Sequence, residues 1–174
     1  MKVAVVTPTI ASEHLAQCID SVDKQTYEDI VHYIFIDGCQ YEPKARKILV
    51  GSSKTRMVEL EENVGKGWYG HRVYAACSFL VNADIICYLD EDNWYEPDHV
   101  KTLVSKIEEE NLDWAYSLRK AYTPDKQYIA DDNCESLGKW PIYFTHNDPQ
   151  YLIDTSTFAF KRQFIKATCH LWHS

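Results

Sequence analysis

The stretch ADIICYLDEDNWYEPDHV, residues 83–100, decides the fold that this sequence predicts. It contains a short apolar run, DIICYL, followed directly by three acidic residues, Asp90, Glu91 and Asp92. An apolar run of this length is typical of a buried strand. Helical spacing resumes after Pro97, which fits the first position of a helix. The stretch therefore predicts a strand, an acidic loop and a helix in succession.

The same alternation of strands and helices runs through the first half of the chain. Apolar strands are predicted at residues 2–7, 30–36, 56–60 and 84–89. Helices with one apolar face are predicted near residues 15–22, 43–50, 73–80 and 100–107. Ser12 is the predicted N-cap of the first helix. This order favours an α/β fold with a mostly parallel central sheet and helices on both faces.

The second half of the sequence is less regular. Two more strands and a last helix are predicted at WAYSL (114–118), TSTFAF (155–160) and KRQFIKATCHL (161–171). Residues 120–150 are rich in proline and polar residues and predict loops with a short hairpin that cover the site. A chain of 174 residues fits one domain with a substantial core.

Composition and charge exclude two classes of partner. The chain carries 18 Lys and Arg against 26 Asp and Glu, a formal net charge of −8, and contains no basic run. Nucleic acids and anionic membranes are recognised mainly through clustered Lys and Arg. We therefore predict that the protein binds neither. No stretch of the sequence is long and apolar enough to be predicted as a transmembrane segment.

The six cysteines favour a reducing compartment. They are scattered without a CxxC pair, and several occupy apolar positions of periodic segments. Buried, reduced thiols are the favoured interpretation. The apolar segment after Lys2 is too short for a signal peptide and is broken by Thr7 and Pro8. The sequence therefore predicts a cytoplasmic protein.

Polar clusters follow three of the predicted strands, TPT at 7–9, DG at 37–38 and DED at 90–92. Parallel strands end at the same edge of a sheet, where α/β folds bind their ligands. Acids at positions i and i+2 of an extended segment point to the same side. We therefore expect Asp90 and Asp92 to face one ligand, while Glu91 points elsewhere.

Three adjacent carboxylates suit a bound cation better than a bare phosphate. Mg²⁺ and Mn²⁺ prefer oxygen ligands, and one or two carboxylates with phosphate oxygens complete their coordination shell. The acidic cluster therefore indicates a metal-bound pyrophosphate. The alternative is that Asp90 to Asn93 only cap the helix that begins near Pro97. The coincidence of three strand-end clusters favours the ligand.

In these motifs the sequence resembles the family-2 glycosyltransferases, which have the GT-A fold of the nucleotide-diphospho-sugar transferase superfamily. The resemblance is carried in order by VAVVTPTI (3–10), QTYEDIVHYIFIDGC (25–39), ENVGKGWYGHRVYAA (62–76) and ADIICYLDEDNWYEPDHV (83–100), and less specifically by DTSTFAFKRQF (154–164). It implies a single-domain, Rossmann-like GT-A fold. Residues 1–110 would form the half that binds a nucleotide sugar, and residues 111–174 an irregular acceptor-side half that is incomplete at its C-terminus.

The resemblance also implies an activity and a cofactor. Family members transfer a sugar, with inversion, from a nucleotide diphosphate donor to a hydroxyl group of a saccharide or other acceptor. The donor is usually a uridine diphosphate sugar. The cofactor is Mn²⁺ or Mg²⁺.

Individual roles follow from the same resemblance. The positions that match nucleotide-binding residues of the family are Thr7, Pro8, Thr9, Asp37, Asn63, Gly65, Lys66, Asp90, Glu91 and Asp92. Among them, Asp37 would meet the base, Asp90 would lie close to the ribose, and Asp92 is the better metal ligand. The sequence departs from the family at Gly70 and His71, where the family often has Arg-Asn.

The general base of the transfer has no obvious match in this sequence. In the family it is an Asp or Glu well after the TFAFKR segment, and this chain ends soon after that segment. Either the chain is a truncated catalytic core, or an earlier acid substitutes, for which Asp154 is the candidate. In some GT-A enzymes a C-terminal His completes the metal shell, which makes His173 a candidate ligand beside Asp92.

Two other functions remain open at this point. A sugar-phosphate nucleotidyltransferase shares the α/β plan and the metal, but typically has a Gly-rich basic loop near its N-terminus, which TPTIASEH (7–14) lacks. A module that binds a nucleotide sugar without transferring it is harder to separate, because the base is not identified. The sequence names neither the sugar nor the acceptor.

Overall fold

A six-stranded sheet forms the centre of the fold. The structure is a computed structural model that describes residues 1–65, 69–131 and 153–172. Its strands are β1 (Val3–Thr9), β2 (Ile30–Asp37), β3 (Thr55–Leu60), β4 (Ile85–Tyr88), β5 (Trp114–Tyr116), β6 (Lys120–Tyr122), β7 (Tyr128–Asp131) and β8 (Phe158–Lys161). The central sheet has the order β3-β2-β1-β4-β8-β5, and β6 and β7 form a separate hairpin.

The sheet is parallel through its first four strands, as predicted. β1 pairs in parallel with both β2 and β4, so that Val3 lies opposite Ile30 on one side and Ile85 on the other. β3 continues the parallel sheet beyond β2, whereas β8 runs antiparallel between β4 and β5. The strand order therefore reverses between β1 and β4. The carboxyl ends of these two strands form the switch point at which open α/β sheets bind ligands.

Helices cover both faces of the sheet, which confirms the predicted α/β architecture. The helices of the described ranges are α1 (Leu15–Asp23), α2 (Glu42–Ile48), α3 (His71–Leu80), α4 (His99–Glu109) and α5 (Arg162–Thr168). Val3 and Val5 of β1 pack with apolar residues of α1 and α4. Ala4 and Val6, on the opposite face, pack with α3 and α5. This alternation along β1 is the two-residue period of a strand buried on both sides.

Two helices begin later than the predicted N-cap Ser12 and the predicted first position Pro97 indicate. The N-cap position of α1 is occupied by His14, and Ser12 instead accepts a 3.3 Å hydrogen bond from the His14 N–H through its hydroxyl oxygen. Helix α4 begins at His99. Pro97 lies in a preceding turn that is closed by a 3.0 Å hydrogen bond from the His99 N–H to the carbonyl of Glu96.

The last strand is shorter than the sequence predicts. Thr155–Thr157 form a 3-10 turn, and β8 begins only at Phe158. The cause is Asp154, whose Oδ1 accepts a 2.9 Å hydrogen bond from the N–H of Ser156 and caps the turn. This turn brings hydroxyl groups to the carboxyl end of β4, next to the acidic cluster.

The predicted hairpin and terminal helix are both present. β6 and β7 pair as an antiparallel hairpin within the region 120–150. The part of that region from residue 132 onward lies outside the described ranges. The terminal helix is α5, which is followed by a 3-10 turn at Cys169–Trp172.

The cysteines largely follow the prediction of buried thiols. Cys18, Cys77 and Cys87 are buried and free, whereas Cys39 is free but exposed. Burial raises the pKa of the Cys87 thiol to about 12, so this group stays protonated. Within the described part of the chain, no helix has the length and apolar character needed to cross a membrane.

Candidate functional site

A cavity of about 700 Å³ opens at the carboxyl ends of β1 and β4, and we refer to it as the main cavity. Its volume falls within the range of roughly 300–1,000 Å³ that is typical of small-molecule and cofactor sites. The described residues that line it are Pro8, Thr9, Ile10, Ser12, His14, Asp37, Asn63, Gly65, Tyr69, Gly70, His71, Asp90, Glu91, Asp92 and Thr155. The three strand-end clusters of the sequence therefore meet around one space.

Not every residue singled out from the sequence lies in this lining. Thr7 is fully buried, and its hydroxyl is hydrogen-bonded to Nε2 of His32 at 2.9 Å. It therefore supports β1 from within the core and does not line the main cavity. Lys66 and His173 lie outside the described ranges.

Asp90 is held by two hydroxyl groups beside the main cavity. Tyr74 on α3 donates a 2.7 Å hydrogen bond to Oδ1. The hydroxyl of Ser156 lies 3.2 Å from Oδ2 and also accepts the backbone N–H of Asp90 at 3.0 Å. Burial raises the pKa of Asp90 to about 6; the Tyr74 hydrogen bond opposes this shift, and the nearby carboxylates of Asp154 and Asp92 add to it.

The acidic segment is a turn, which corrects the expected extended geometry. The N–H of Asn93 donates a 3.1 Å hydrogen bond to the carbonyl of Asp90, so the chain reverses between them. Side chains in a turn do not alternate as they do in a strand. Asp90 is half-buried, whereas Asp92 is exposed at the main cavity. The helix-cap alternative also fails, because Asp98 occupies the N-cap position of α4.

Glu91 connects the acidic turn to the loop after β1. Its carboxylate accepts a hydrogen bond from the hydroxyl of Thr9. It also accepts the backbone N–H groups of Ile10 at 3.2 Å and Ser12 at 2.9 Å. Glu91 lines the main cavity, but protein donors occupy its carboxylate. Its contacts fix the relative position of the two strand ends that form the switch point.

Asp37 holds the loop that follows β3. The two oxygens of its buried carboxylate accept the N–H groups of Val64 at 2.7 Å and Gly65 at 2.8 Å. A Cβ atom at Gly65 would lie 2.5 Å from Oδ2 of Asp37, so only glycine permits this approach. In the same loop, Oδ1 of Asn63 is buried and has no hydrogen-bond partner within the described ranges. A buried acceptor of this kind is satisfied by an ordered water or by a ligand donor.

Gly70 brings the start of α3 against the end of β1. Its φ is +76°, and a Cβ atom there would lie 2.9 Å from Cγ of Pro8. A side chain at this position would therefore be both strained and crowded. Its neighbour His71 lines the main cavity, and Tyr69 is 89% exposed at the rim. The Gly70-His71 pair thus allows a tight turn at the point where the family often has Arg-Asn.

Asp154 lies next to the main cavity, at a second cavity of about 150 Å³ that we call the side cavity. One oxygen of its carboxylate forms an ion pair with Arg119. The other accepts the N–H of Ser156. Both carboxylate oxygens therefore have a donor. Residues 154–156 separate the cavities, because Thr155 lines the main cavity while Asp154 and Ser156 line the side cavity.

The fit of the site to a divalent cation depends on Asp92. Across residues 1–65, 69–131 and 153–172, no group of three or more His, Cys, Asp or Glu side chains is placed to hold a metal ion. A nucleotide-bound Mg²⁺ needs fewer protein ligands, because one or two carboxylates are completed by phosphate oxygens and water. The exposed carboxylate of Asp92, with Asp90 close by, fits this smaller requirement.

Three residues of the site were not predicted from the sequence. Tyr74 follows Val73 on the buried side of α3, where it is indistinguishable from a core aromatic. Ser156 belongs to a segment with strand-like composition, and Arg119 belongs to an irregular region. No local pattern signals their contacts with Asp90 and Asp154, because those contacts join distant parts of the chain.

The fold and the site together define a GT-A type α/β domain with a ligand cavity at its switch point. The family model for glycosyl transferase family 2 matches residues 4–167. The chain therefore belongs to glycosyl transferase family 2, and the resemblance noted in its motifs is confirmed.

Individual relatives are more distant. The chain is 25% identical over 124 residues to the glycosyltransferase GlyA of Streptococcus pneumoniae, an alignment that covers 66% of this chain and 16% of that protein. Among solved structures, S. aureus TarS 1-349 in complex with UDP-GlcNAc matches with a TM-score of 0.62 and 17% identity, covering 97% of this chain and 47% of the other.

A mannosyltransferase, PcManGT from Pyrobaculum calidifontis, in complex with GDP-Man and Mn²⁺, matches with a TM-score of 0.66 and 15% identity. That match covers 96% of this chain and 46% of the other. At these identities the two structural likenesses show the fold alone. The chain spans less than half the length of each of these proteins.

Proposed function

We propose that this chain binds a nucleotide diphosphate sugar, with a uridine diphosphate sugar as the favoured donor, and transfers the sugar with inversion to an acceptor hydroxyl group. One observation carries the proposal. Pro8 and Thr9, the loop after β3 that Asp37 holds, and the acidic turn meet around one cavity of about 700 Å³ at the switch point. Membership of glycosyl transferase family 2 supports it. In this proposal residues 1–174 form one domain, with residues 1–110 as the donor-binding half and 111–174 as the acceptor side.

The nucleoside is proposed to lie against the loops after β1 and β3. Oδ1 of Asn63, which has no hydrogen-bond partner within the described ranges, is the proposed acceptor for the ring N–H of uracil. Asp37 and Glu91 are proposed to act on the ligand indirectly. Their carboxylates accept backbone N–H groups and thereby hold the loops that form the walls of the main cavity. Asp90 is the proposed acceptor for a ribose hydroxyl group, because this half-buried residue lines the main cavity.

Mn²⁺ or Mg²⁺ is the proposed cofactor, with Asp92 as its ligand and Asp90 beside it. When bound, the cation would offset the negative charge that the diphosphate gains as it leaves. The structure of PcManGT, which is in complex with GDP-Man and Mn²⁺, supports this choice. The net charge of −8 makes direct binding of a bare diphosphate near three acids unfavourable.

The proposed reaction is a single displacement. The acceptor oxygen attacks C1 of the donor sugar on the face opposite the diphosphate. The bond between C1 and the diphosphate oxygen breaks, its electron pair stays on the diphosphate, and the configuration at C1 inverts. The acceptor proton passes to a general base.

Asp154 is the proposed base within the described part of the chain. It lies where the two cavities meet, so an acceptor in the side cavity would be next to it. Its carboxylate is paired with Arg119. The Arg119 contact must therefore open or shift before Asp154 accepts a proton.

Release of UDP from a panel of UDP-sugars, measured with and without acceptors, tests the proposal. UDP release that increases with an acceptor, together with NMR showing an inverted anomeric centre, is the expected result. Binding of a UDP-sugar without release would identify a binding module. Release of pyrophosphate from a nucleoside triphosphate and a sugar phosphate would identify a nucleotidyltransferase. Either of these results would overturn the transferase function.

A further inference from the structure

The side cavity is a second space beside the main cavity. It lies between the start of α4, the strand β6 and the 3-10 turn at Thr155–Thr157. With about 150 Å³ it is far smaller than the main cavity of about 700 Å³, and matches one sugar ring better than a nucleotide. Aromatic and charged side chains line it together.

An aromatic wall forms one side of this cavity. The rings of Trp94 and Tyr122 have centroids 5.0 Å apart with an interplanar angle of 48°. The ring of Tyr128, 56% exposed, follows at 5.9 Å from Tyr122 on the same hairpin. Trp and Tyr offer a flat apolar face and a polar edge. The C–H face of a pyranose ring packs on such a surface while its hydroxyl groups remain free for hydrogen bonds.

The polar groups of the side cavity favour a neutral ligand. Arg119 is paired with Asp154, and Nζ of Lys120 lies 3.7 Å from Oε1 of Glu96. Because each of these cations has an acidic partner, the described part of the lining offers no excess of positive charge to a phosphate. Paired charges still provide donors and acceptors for the hydroxyl groups of an uncharged sugar.

His99 adds a polar atom that needs a partner. It lines the side cavity and stacks on Tyr95 with ring centroids 4.0 Å apart. Its Nε2 is buried and has no hydrogen-bond partner among the residues that the structure describes. A ligand hydroxyl group that reached this nitrogen would supply the missing hydrogen bond.

The side cavity also lies next to the proposed chemistry. Ser156 lines it, and the hydroxyl of Ser156 contacts the carboxylate of Asp90 in the main cavity at 3.2 Å. Asp154, on the same turn, lines the side cavity as well. The turn at residues 154–156 would therefore separate a ligand in the side cavity from a donor in the main cavity.

We propose that the side cavity and its aromatic wall bind one pyranose ring of the acceptor. This inference rests on the proposed function and names the acceptor class as a neutral saccharide. Trp94 is the central contact, because it lines the cavity and packs against Tyr122. It defines a binding residue for the acceptor that is separate from the donor-binding residues.

The test uses the 174-residue chain and a UDP-sugar that it hydrolyses. UDP release is measured without acceptor and with methyl β-glucoside, methyl β-galactoside, methyl N-acetyl-β-glucosaminide, cellobiose, lactose and chitobiose. Trp94→Ala removes the tryptophan ring from the aromatic wall, and Trp94→Phe restores a ring. Trp114→Ala is the matched control, since Trp114 is 39% exposed on β5 and lines neither cavity. Calorimetric titration with UDP shows which variants are folded.

We expect at least one saccharide to stimulate UDP release. Trp94→Ala should raise the KM for that saccharide by about tenfold or more, which is the loss typical of removing an aromatic hot-spot contact. Trp94→Phe should recover most of this loss, and Trp114→Ala should behave as the wild type. An unchanged KM in Trp94→Ala overturns the proposal. If the UDP-sugar is hydrolysed but no saccharide stimulates UDP release, the acceptor proposal is overturned and the donor-site proposal is retained. A chain that binds no UDP-sugar overturns the proposed function itself.

Discussion

The hydroxyl of Tyr74 donates a hydrogen bond of 2.7 Å to Oδ1 of Asp90, and thereby connects α3 to the acidic turn. Tyr74 is fully buried, and its ring packs on Tyr88 with centroids 4.5 Å apart. Burial and the charge of Asp90 raise the pKa of Tyr74 well above its usual range, so the phenol remains a donor. The protonation of Asp90 therefore depends on a residue that does not line the main cavity.

The variant Tyr74→Phe removes the hydrogen bond that lowers the pKa of Asp90. The pKa of Asp90, about 6 in the wild type, then rises, and less of the carboxylate is ionised near neutral pH. We expect UDP affinity to fall about three- to tenfold near pH 6 and to approach the wild-type value near about pH 8. Calorimetric titration with UDP and Mn²⁺ at both pH values measures this.

Tyr33→Phe is the control for this prediction, because Tyr33 is a half-buried tyrosine on β2 that does not line the main cavity. Its UDP affinity should follow the wild type at both pH values. If Tyr74→Phe weakens UDP binding equally at both, the residue acts through packing and the pH-dependent explanation fails.

Asp90→Asn should stabilise the fold at neutral pH. The folded pKa of about 6 is above the unfolded value of about 3.9, so the folded protein carries the cost of a desolvated carboxylate once Asp90 ionises. This cost is absent below about pH 4, grows as the pH rises through the folded pKa, and is complete above it. We expect a gain in the free energy of unfolding on the order of 1–3 kcal/mol at pH 7. Urea denaturation at about pH 4 should show no gain; an equal gain at both pH values would contradict the explanation.

The fold was predictable from the sequence because the central strands β1 and β4 are buried on both faces. In β1, Val3 to Val6 are all fully buried, and a continuous apolar run of this kind has few alternatives to a central strand. The helix starts were less predictable, because turn hydrogen bonds set them. His99 bonds to Glu96 and shifts the start of α4 beyond Pro97, although proline fits a first helical position.

The place of the site was predictable, but its contacts were not. Strand ends meet at one edge of a parallel sheet, so Thr9, Asp37 and Asp90 were expected to lie together, and all three line the main cavity. The hydrogen bonds of Asp90 with Tyr74 and Ser156 span 16 and 66 residues of sequence. Contacts of this kind arise only from tertiary packing. The turn in the acidic segment likewise depends on a backbone hydrogen bond that the composition does not reveal.

Asp92→Ala should remove the metal-dependent part of nucleotide binding. Asp92 is exposed in the main cavity, so its loss should leave the fold intact. We expect UDP affinity in Mn²⁺ to fall by at least about tenfold and to match that of the wild type in chelator. Asp113→Ala, which removes an acid that is 68% exposed and lines neither cavity, should have no effect. Wild-type affinity that is insensitive to chelator would show that no cation is used.

Gly70→Ala should weaken both the fold and donor binding. The substitution places a Cβ atom 2.9 Å from Pro8 on a backbone with φ of +76°, at the wall of the main cavity. We expect a loss in the free energy of unfolding of about 1–3 kcal/mol, with reduced UDP affinity. Gly51→Ala is the matched control, because Gly51 has φ of +102° but no atom within 4 Å of the added Cβ. It should lose about 1 kcal/mol and keep its UDP affinity; equal UDP affinities in the two variants would contradict the role of the Pro8 contact.

Asp154→Asn tests the proposed base without removing the turn that Asp154 caps. The amide oxygen of asparagine can still accept the N–H of Ser156, which Oδ1 of Asp154 accepts at 2.9 Å in the wild type, but the side chain can no longer take a proton. We expect the rate of sugar transfer to fall about 10²- to 10⁴-fold and UDP affinity to change little. A purely structural role would lower the UDP affinity together with the rate. Asp113→Asn, a change at an acid that lines neither cavity, should leave both quantities as they are. A variant Asp154→Asn that transfers sugar at the wild-type rate would show that another group accepts the proton.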